Sequence, residues 1–447
     1  MQNLLKFHNE KILLIIATVF GGHYHPTYQT NINLLAGKKG MAATRYCEGC
    51  HAPVALLSGQ LTEGGRLDTP GHMNEGVGCL GCHAVDRVEH LEGVGSYRIR
   101  PQESYLFEGR TAAPAVWLHN LSLRIRPARH RLDMARPVVA TPAACATCHA
   151  QFMDRDMNGW GWVKMQDDYT GWLNSPYSGM REPAHAASAT VTRCQDCHLP
   201  LVAGKDPSAD SLGRFRSHRF PGANTAIPHV TGNTEQLEAV TRFLQRDVVR
   251  VTIDVPRKRD AARGERPFER DSLTETEAPE YFYLGDRATL RVVVDNTRVG
   301  HNFPGGTTDI NEVWIALRVV DGSNRVVYES GMLEADGTVD PKAHFYRTIP
   351  VTREGRAVWR HDLFNMTGDS YRNVVPPGRS DVLEYGFTIP HWAKGPLTAS
   401  AVVRYRKLNI RYARWALKDE RVDLPIVDMA RHALTIPIRY KREQEQG

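Results

Sequence analysis

The sequence predicts an α+β chain: a loop-rich, partly helical N-terminal region followed by an antiparallel β-sandwich. Three observations predict it. Eight cysteines lie between Cys47 and Cys197, in a stretch of weak apolar periodicity rich in Gly, Pro and Ser. One amphipathic segment, Thr234 to Arg246, puts Leu237, Val240 and Leu244 on one face, with Asn233 or Thr234 placed to cap it. Beyond that segment the chain turns to short β-branched runs.

Taken in order, Lys6 and Lys11 precede an apolar run, Ile12 to Phe20. That run is too short to cross a bilayer and suits the core of a signal peptide, so residues 1–22 are expected to be a signal peptide or short anchor. Residues 23–232 hold the cysteines, and 233–247 form a linker helix. Residues 248–447 carry the strands Val248–Val255, Leu290–Val294, Val313–Val320, Arg325–Tyr328, Val382–Ile389, Thr398–Tyr405 and Leu434–Ile438. Asp321-Gly322-Ser323-Asn324 reads as a hairpin turn between two of them. A charged loop, Arg257 to Asp271, and a less patterned stretch, Ala335 to Ser380, interrupt the series.

Every cysteine belongs to a Cys-x-x-Cys-His pentad. The four are Cys47–Cys50–His51, Cys79–Cys82–His83, Cys145–Cys148–His149 and Cys194–Cys197–His198, with no cysteine left over. This spacing is the attachment signature of c-type haem. Two cysteines three apart lie on one side of a helical turn, where both sulfurs can bond the vinyl groups of one porphyrin. The histidine that follows then swings under the ring to bind iron. Zinc ribbons need two cysteine pairs roughly 15–20 residues apart, whereas the gaps here are 28, 62 and 45 residues. A thioredoxin-like motif would occur once, and disulfides would not place a histidine after every second cysteine. The N-terminal region is therefore expected to be a tetrahaem domain carrying four c-type haems, with short helices and long loops around apolar cofactors.

Haem also alters the charge. The polypeptide is formally +6, but two propionates on each of four haems bring it to about −2. The basic balance is thus no argument for nucleic acid, and no large Lys/Arg block supplies one. Haem attachment takes place outside the cytoplasm, so the chain is expected to be exported, periplasmic or extracellular.

Further residues carry a family resemblance. The first pentad runs into Ala52-Pro53-Val54-Ala55-Leu56-Leu57-Ser58-Gly59, the second follows Asn74-Glu75-Gly76-Val77-Gly78, and the fourth follows Trp172-Leu173-Asn174-Ser175-Pro176-Tyr177. The β-rich half contains Val299-Gly300-His301-Asn302-Phe303-Pro304-Gly305-Gly306, then Asp309 and Glu312-Val313-Trp314. Together these resemble the bacterial and archaeal multihaem cytochrome c proteins that join a tetrahaem region to a C-terminal β-domain. The resemblance implies a periplasmic or extracellular electron carrier, usually with two histidines per haem. It is more distant to tetrahaem proteins that polymerise into conducting filaments.

Four distal ligands are needed if every iron takes two histidines. Methionine is the alternative and raises the potential. An internal repeat points to two histidines: His218-Arg219-Phe220-Pro221-Gly222 and His301-Asn302-Phe303-Pro304-Gly305 share the pattern His-x-Phe-Pro-Gly. Proline fixes φ and glycine permits a sharp bend, which would hold a histidine on a rigid loop with the phenylalanine free to stack on a porphyrin. His301 would then fasten the two domains through iron. His25 lies in the segment that matches the family's N-terminal histidines, with His23 as its rival. His130 precedes the third pentad, with His119 one loop earlier. His72 and His185 are reserves. His8, His90, His229, His344, His361, His391 and His432 read as ordinary. Trp117, Trp160, Trp162, Trp172 and Tyr177 read as packing near the haems.

The expected role is electron transfer rather than catalysis. All four pentads end in histidine, and the supply of histidines exceeds demand. The expected partners are redox proteins: other cytochromes, a quinol oxidase module or a terminal reductase. Self-polymerisation and membrane association remain open. The competing reading is a multihaem reductase of a small nitrogen or sulfur oxyanion, which would need one iron with a displaceable position.

Overall fold

The computed structural model describes residues 26–59, 76–100, 105–179, 191–205, 208–254, 256–258 and 280–440, and the side chains of all of these except His130, Arg257 and Lys258. Residues 1–22, His23, His25, His72 and His185 lie outside them. The fold is α+β with a β-rich C-terminal region. No described helix is long and apolar enough to cross a membrane.

The N-terminal region is a chain of short helices and two-stranded hairpins. Its helices include α1 (Pro26–Lys39), α2 (Arg45–His51), α3 (Cys79–His83), α4 (Ala113–Ile125), α5 (Pro127–Met134), α6 (Pro142–His149), α7 (Asp168–Leu173) and α8 (Cys194–His198). Side chains supply little core here. The apolar clusters are small, the largest holding Leu35, Met153, Val163, Leu363, Phe364 and Met366.

Beyond α9 (Thr234–Leu244) come β1 (Val249–Ile253), β2 (Arg287–Asn296), β3 (Glu312–Val320), β4 (Val326–Ser330), β5 (Ser380–Thr388), β6 (Leu397–Arg406) and β7 (Ile426–Ile436). One antiparallel sheet runs β5-β2-β1, and the other runs β4-β3-β6-β7. Register follows burial. Val292 sits opposite Leu383 and Ile253, and Ile315 opposite Val403. One core is shared by Val251, Leu290, Val292 and Val294 of the first sheet and Ile315, Leu317, Ala401 and Val403 of the second. That is the sandwich the alternating runs anticipate. α9 seals it with Val240 and Leu244, and the Asn233 side chain caps it by accepting from Gln236 N at 3.1 Å. At the β3–β4 turn, Asp321 Oδ1 accepts from Ser323 N and Arg325 N at 2.8 and 2.9 Å.

Two elements depart from the sequence reading. The last strand was expected from Leu434 and begins at Ile426, because its edge position lets Asp428 and Arg431 face outward and a register irregularity opposite Val403 and Arg404 breaks the apolar alternation. The unpatterned stretch contains the pair Thr348–Val351 and Gly368–Arg372, whose connecting loop carries Leu363, Phe364 and Met366 into the N-terminal apolar cluster. The two regions are tied elsewhere too. Thr30 of α1 donates to Ala416 O at 2.8 Å, and Tyr405 Oη donates to Ala223 O at 2.7 Å.

Candidate haem-binding site

Each pentad forms one helical turn, so its two sulfurs share a side and its histidine ends the helix. None of the eight thiols is in a disulfide. The turns lie against one another around α6. Cys50 of the first pentad lies beside Cys148 of the third, and Cys145 of the third beside Cys194 of the fourth. Burial pushes the Cys47 and Cys82 thiols up to about 12.

Glycine makes this closeness feasible. Gly93 and Gly95 sit at φ 78° and 71°, in the left-handed region. A Cβ on Gly95 would stand 3.0 Å from Gly49 Cα, and one on Gly93 would collide with Ala150 O at 1.6 Å. The segment also ties two pentads together: Gly95 N donates to Thr147 O at 2.9 Å, and Tyr97 Oη donates to Gly49 O at 2.7 Å. Gln195, inside the fourth pentad, donates to Val139 O and Thr141 O at 3.0 and 2.8 Å, ahead of the third.

Two pentad histidines face a second histidine. The rings of His83 and His218 lie 6.1 Å apart, and those of His198 and His301 lie 6.5 Å apart with planes 15° from parallel. All four use Nδ1 on a backbone carbonyl. His83 donates to Met134 O at 2.6 Å, His218 to Arg216 O at 3.1 Å, His198 to Pro221 O at 2.7 Å and His301 to Asn302 O at 2.9 Å. A neutral imidazole that donates through Nδ1 presents an unprotonated Nε2, the form that binds metal. A metal–imidazole bond of about 2 Å on each side, plus the offset from Nε2 to the ring centre, puts paired centroids roughly 6 Å apart. The donor set therefore fits an iron held between two histidines.

The His301 loop is built for placement. It follows β2, and Asn296 donates to His301 O and to Val375 O, both at 3.0 Å. A Cβ on Gly305 would reach His301 Cε1 at 2.6 Å and Asp168 Oδ1 at 2.7 Å, so the close approach requires glycine. Phe303 does not stack on a porphyrin face. It is buried in the sandwich core, 6.1 Å from Tyr346, because a loop carried by a sheet needs an apolar root there. Phe220 stays beside its histidine, edge-on at 5.8 Å.

Asp168 lies between two of these rings, its carboxylate oxygens 3.6 Å from His149 Nδ1 and 3.8 Å from His301 Nδ1. Burial alone would raise its pKa. The imidazoles of His301 and His149 beside it and the Gly306 N–H hold it well below the usual carboxylate range. His149 is raised in turn, chiefly by the Asp168 carboxylate beside it. His198 is depressed to about 4, chiefly by burial, with charge from neighbouring histidines adding to it.

Comparison with solved structures bears on this arrangement. A pentahaem cytochrome c552 from Thermochromatium tepidum matches 87% of this chain and 83% of its own, at TM-score 0.50 and 16% identity. The fold is that of a multihaem cytochrome c. A CARDB domain from Pyrococcus furiosus, at TM-score 0.17, carries no argument. No family model matches the chain, and no curated protein matches it. Four pentads stand in this sequence, one fewer than the haem count in the name of the cytochrome c552.

Of the distal candidates, His218 and His301 are brought to pentad histidines. His25 lies outside the described residues. His130 falls on α5, and its side chain is likewise outside what is described. His119 is buried and donates through Nδ1 to Leu106 O at 2.9 Å. Trp172 packs as anticipated, its Nε1 donating to Thr192 O at 2.8 Å, whereas Trp117, Trp160 and Trp162 are exposed. The sequence reading missed Asp168, since only the folded chain brings it to His149 and His301.

Proposed function

We propose that this chain is an exported electron-transfer cytochrome c that holds four haems through its pentads, each iron taking two histidines. The observation that carries the reading is the pair of histidine couples, His83 with His218 and His198 with His301, at the separation two axial imidazoles require. When bound, haem iron supplies reversible one-electron chemistry.

The chain's own residues do the rest. The thiols of Cys47, Cys50, Cys79, Cys82, Cys145, Cys148, Cys194 and Cys197 anchor the porphyrins as thioethers. His51, His83, His149 and His198 bind from one side. His218 and His301 bind from the other, with His25 and His130 as sequence candidates for the two remaining irons. The backbone carbonyls at Nδ1 fix the tautomer and orientation of the His83, His198, His218 and His301 rings, which limits rearrangement when the charge on iron changes. Contacts between the first and third pentads and between the third and fourth keep the anchoring points close, as a relay requires.

In this reading residues 23–232 form the tetrahaem domain, 233–247 the linker and 248–447 a β-domain that supplies His301 and clamps the haem domain. Redox proteins outside the cytoplasm deliver and accept the electrons. Irons with both axial positions taken favour a carrier over an enzyme. Magnetic circular dichroism of the purified protein tests this. Four low-spin ferric haems are expected. A high-spin haem together with rapid turnover of nitrite, hydroxylamine or tetrathionate would overturn the reading in favour of a reductase.

A further inference from the structure

His361 looks ordinary in the sequence and is unusual in the structure. It stands just before the short helical turn Leu363–Asn365 at φ 55°, a left-handed backbone that a side-chain-bearing residue adopts only when its surroundings over-determine it. Its Nδ1 donates to Asp309 Oδ2 at 2.7 Å, and Asp309 is nearly buried, with 9% of its side chain exposed. A carboxylate at Nδ1 leaves Nε2 as the free, electron-rich nitrogen. This is the carboxylate–histidine arrangement that orients metal ligands.

The loop is also held in place. Lys38 of α1 pairs with the adjacent Asp362. Leu363, Phe364 and Met366 are buried with Leu35, against Tyr46 and Cys47 of the first pentad helix. This clamps the loop that carries His361 beside the first attachment site. Two other histidines of the β-rich half are already engaged. His344 spends its Nε2 on Asp381 at 3.0 Å, and the Nδ1 of His432 accepts from Ile253 N in the sandwich at 3.1 Å.

We propose that His361, oriented by Asp309, is the second axial ligand of the iron bound by His51. The proposal rests on the haem reading above and adds a second iron contact from the β-rich half besides His301. It leaves His25 and His130 as the candidates for the iron of His149.

The test uses the full, haem-loaded protein with His361→Gly, which suits the φ of 55° and should preserve the backbone. Ferric electron paramagnetic resonance and magnetic circular dichroism should show one of the four haems turned high-spin, and added imidazole should return it to low-spin. Asp309→Asn should keep four low-spin haems but shift the signal of the same one. Four unchanged low-spin haems in His361→Gly would overturn the proposal, as would a His25→Ala variant that converts the His51 haem to high-spin by itself. Failure of the haem reading would show differently, as a protein with no covalent haem in any variant.

Discussion

His198, at the end of the last pentad, and His301, on a loop of the sandwich 103 positions later, stack with ring centres 6.5 Å apart. Each donates its Nδ1 proton to a backbone carbonyl, at 2.7 and 2.9 Å, so each keeps its Nε2 for metal. Replacing His301 by Ala is expected to turn one haem of four high-spin in magnetic circular dichroism. It should also hasten proteolysis of the β-rich half, because an iron-mediated tie between the regions is lost. Four low-spin haems in that variant would make the loop merely structural.

Gly305 gives an independent probe of the same contact. An added Cβ meets His301 and Asp168 at 2.6 and 2.7 Å. Gly305→Ala should therefore displace the imidazole and cost roughly 1–3 kcal/mol through overpacking. Denaturant unfolding would read the cost, and the spectrum of the affected haem should shift with it. Gly306 has φ 68° and nothing near its added Cβ, so Gly306→Ala should cost about 1 kcal/mol of backbone strain without moving that spectrum.

The pentads were legible because their Cys-x-x-Cys-His spacing is local, and a helical turn follows from it. The β2, β3, β5 and β6 strands were legible because a core face repeats every second residue. His301 and His218 showed as candidates through a repeated turn with its own geometry. What stayed hidden depends on contacts between distant segments. Asp168 matters only because the fold places it between His149 and His301, and His361 only because Asp309 and the first pentad helix surround it. Phe303 was assigned to the haem, yet the sandwich takes it, since sequence cannot say which of two apolar neighbours a loop residue will meet.

Arg406 and Glu312 form a buried ion pair between β6 and β3, and Arg406 also donates to Gly337 O at 2.9 Å. Removing one partner strands the other charge in the interior. Arg406→Met should cost about 3–5 kcal/mol. Chemical denaturation followed by tryptophan fluorescence would measure it, because Trp314 lies in the same buried layer. A loss under 1 kcal/mol would show that the pair contributes little.

Asp196, within the fourth pentad, is held down to about 2. Partial burial would raise it, but the N–H and side chain of Arg193 and the side chain of Arg216 outweigh that. A depressed carboxylate contributes stability above its unfolded pKa and loses it as pH falls through the folded one. The contribution should therefore be full above about pH 4 and fade toward pH 2. Its partly exposed position limits it to about 1 kcal/mol. Asp196→Asn should be destabilised by that amount at pH 6, and the gap to the parent should narrow below pH 3.

The central claim is covalent attachment of haem at four pentads. Intact-mass spectrometry of the protein from a host with cytochrome c maturation tests it most directly. The expected result is a gain of four haems over the polypeptide, no thiol open to alkylation after denaturation, and loss of one haem in Cys194→Ser/Cys197→Ser. A protein of bare polypeptide mass with eight alkylatable cysteines would contradict it.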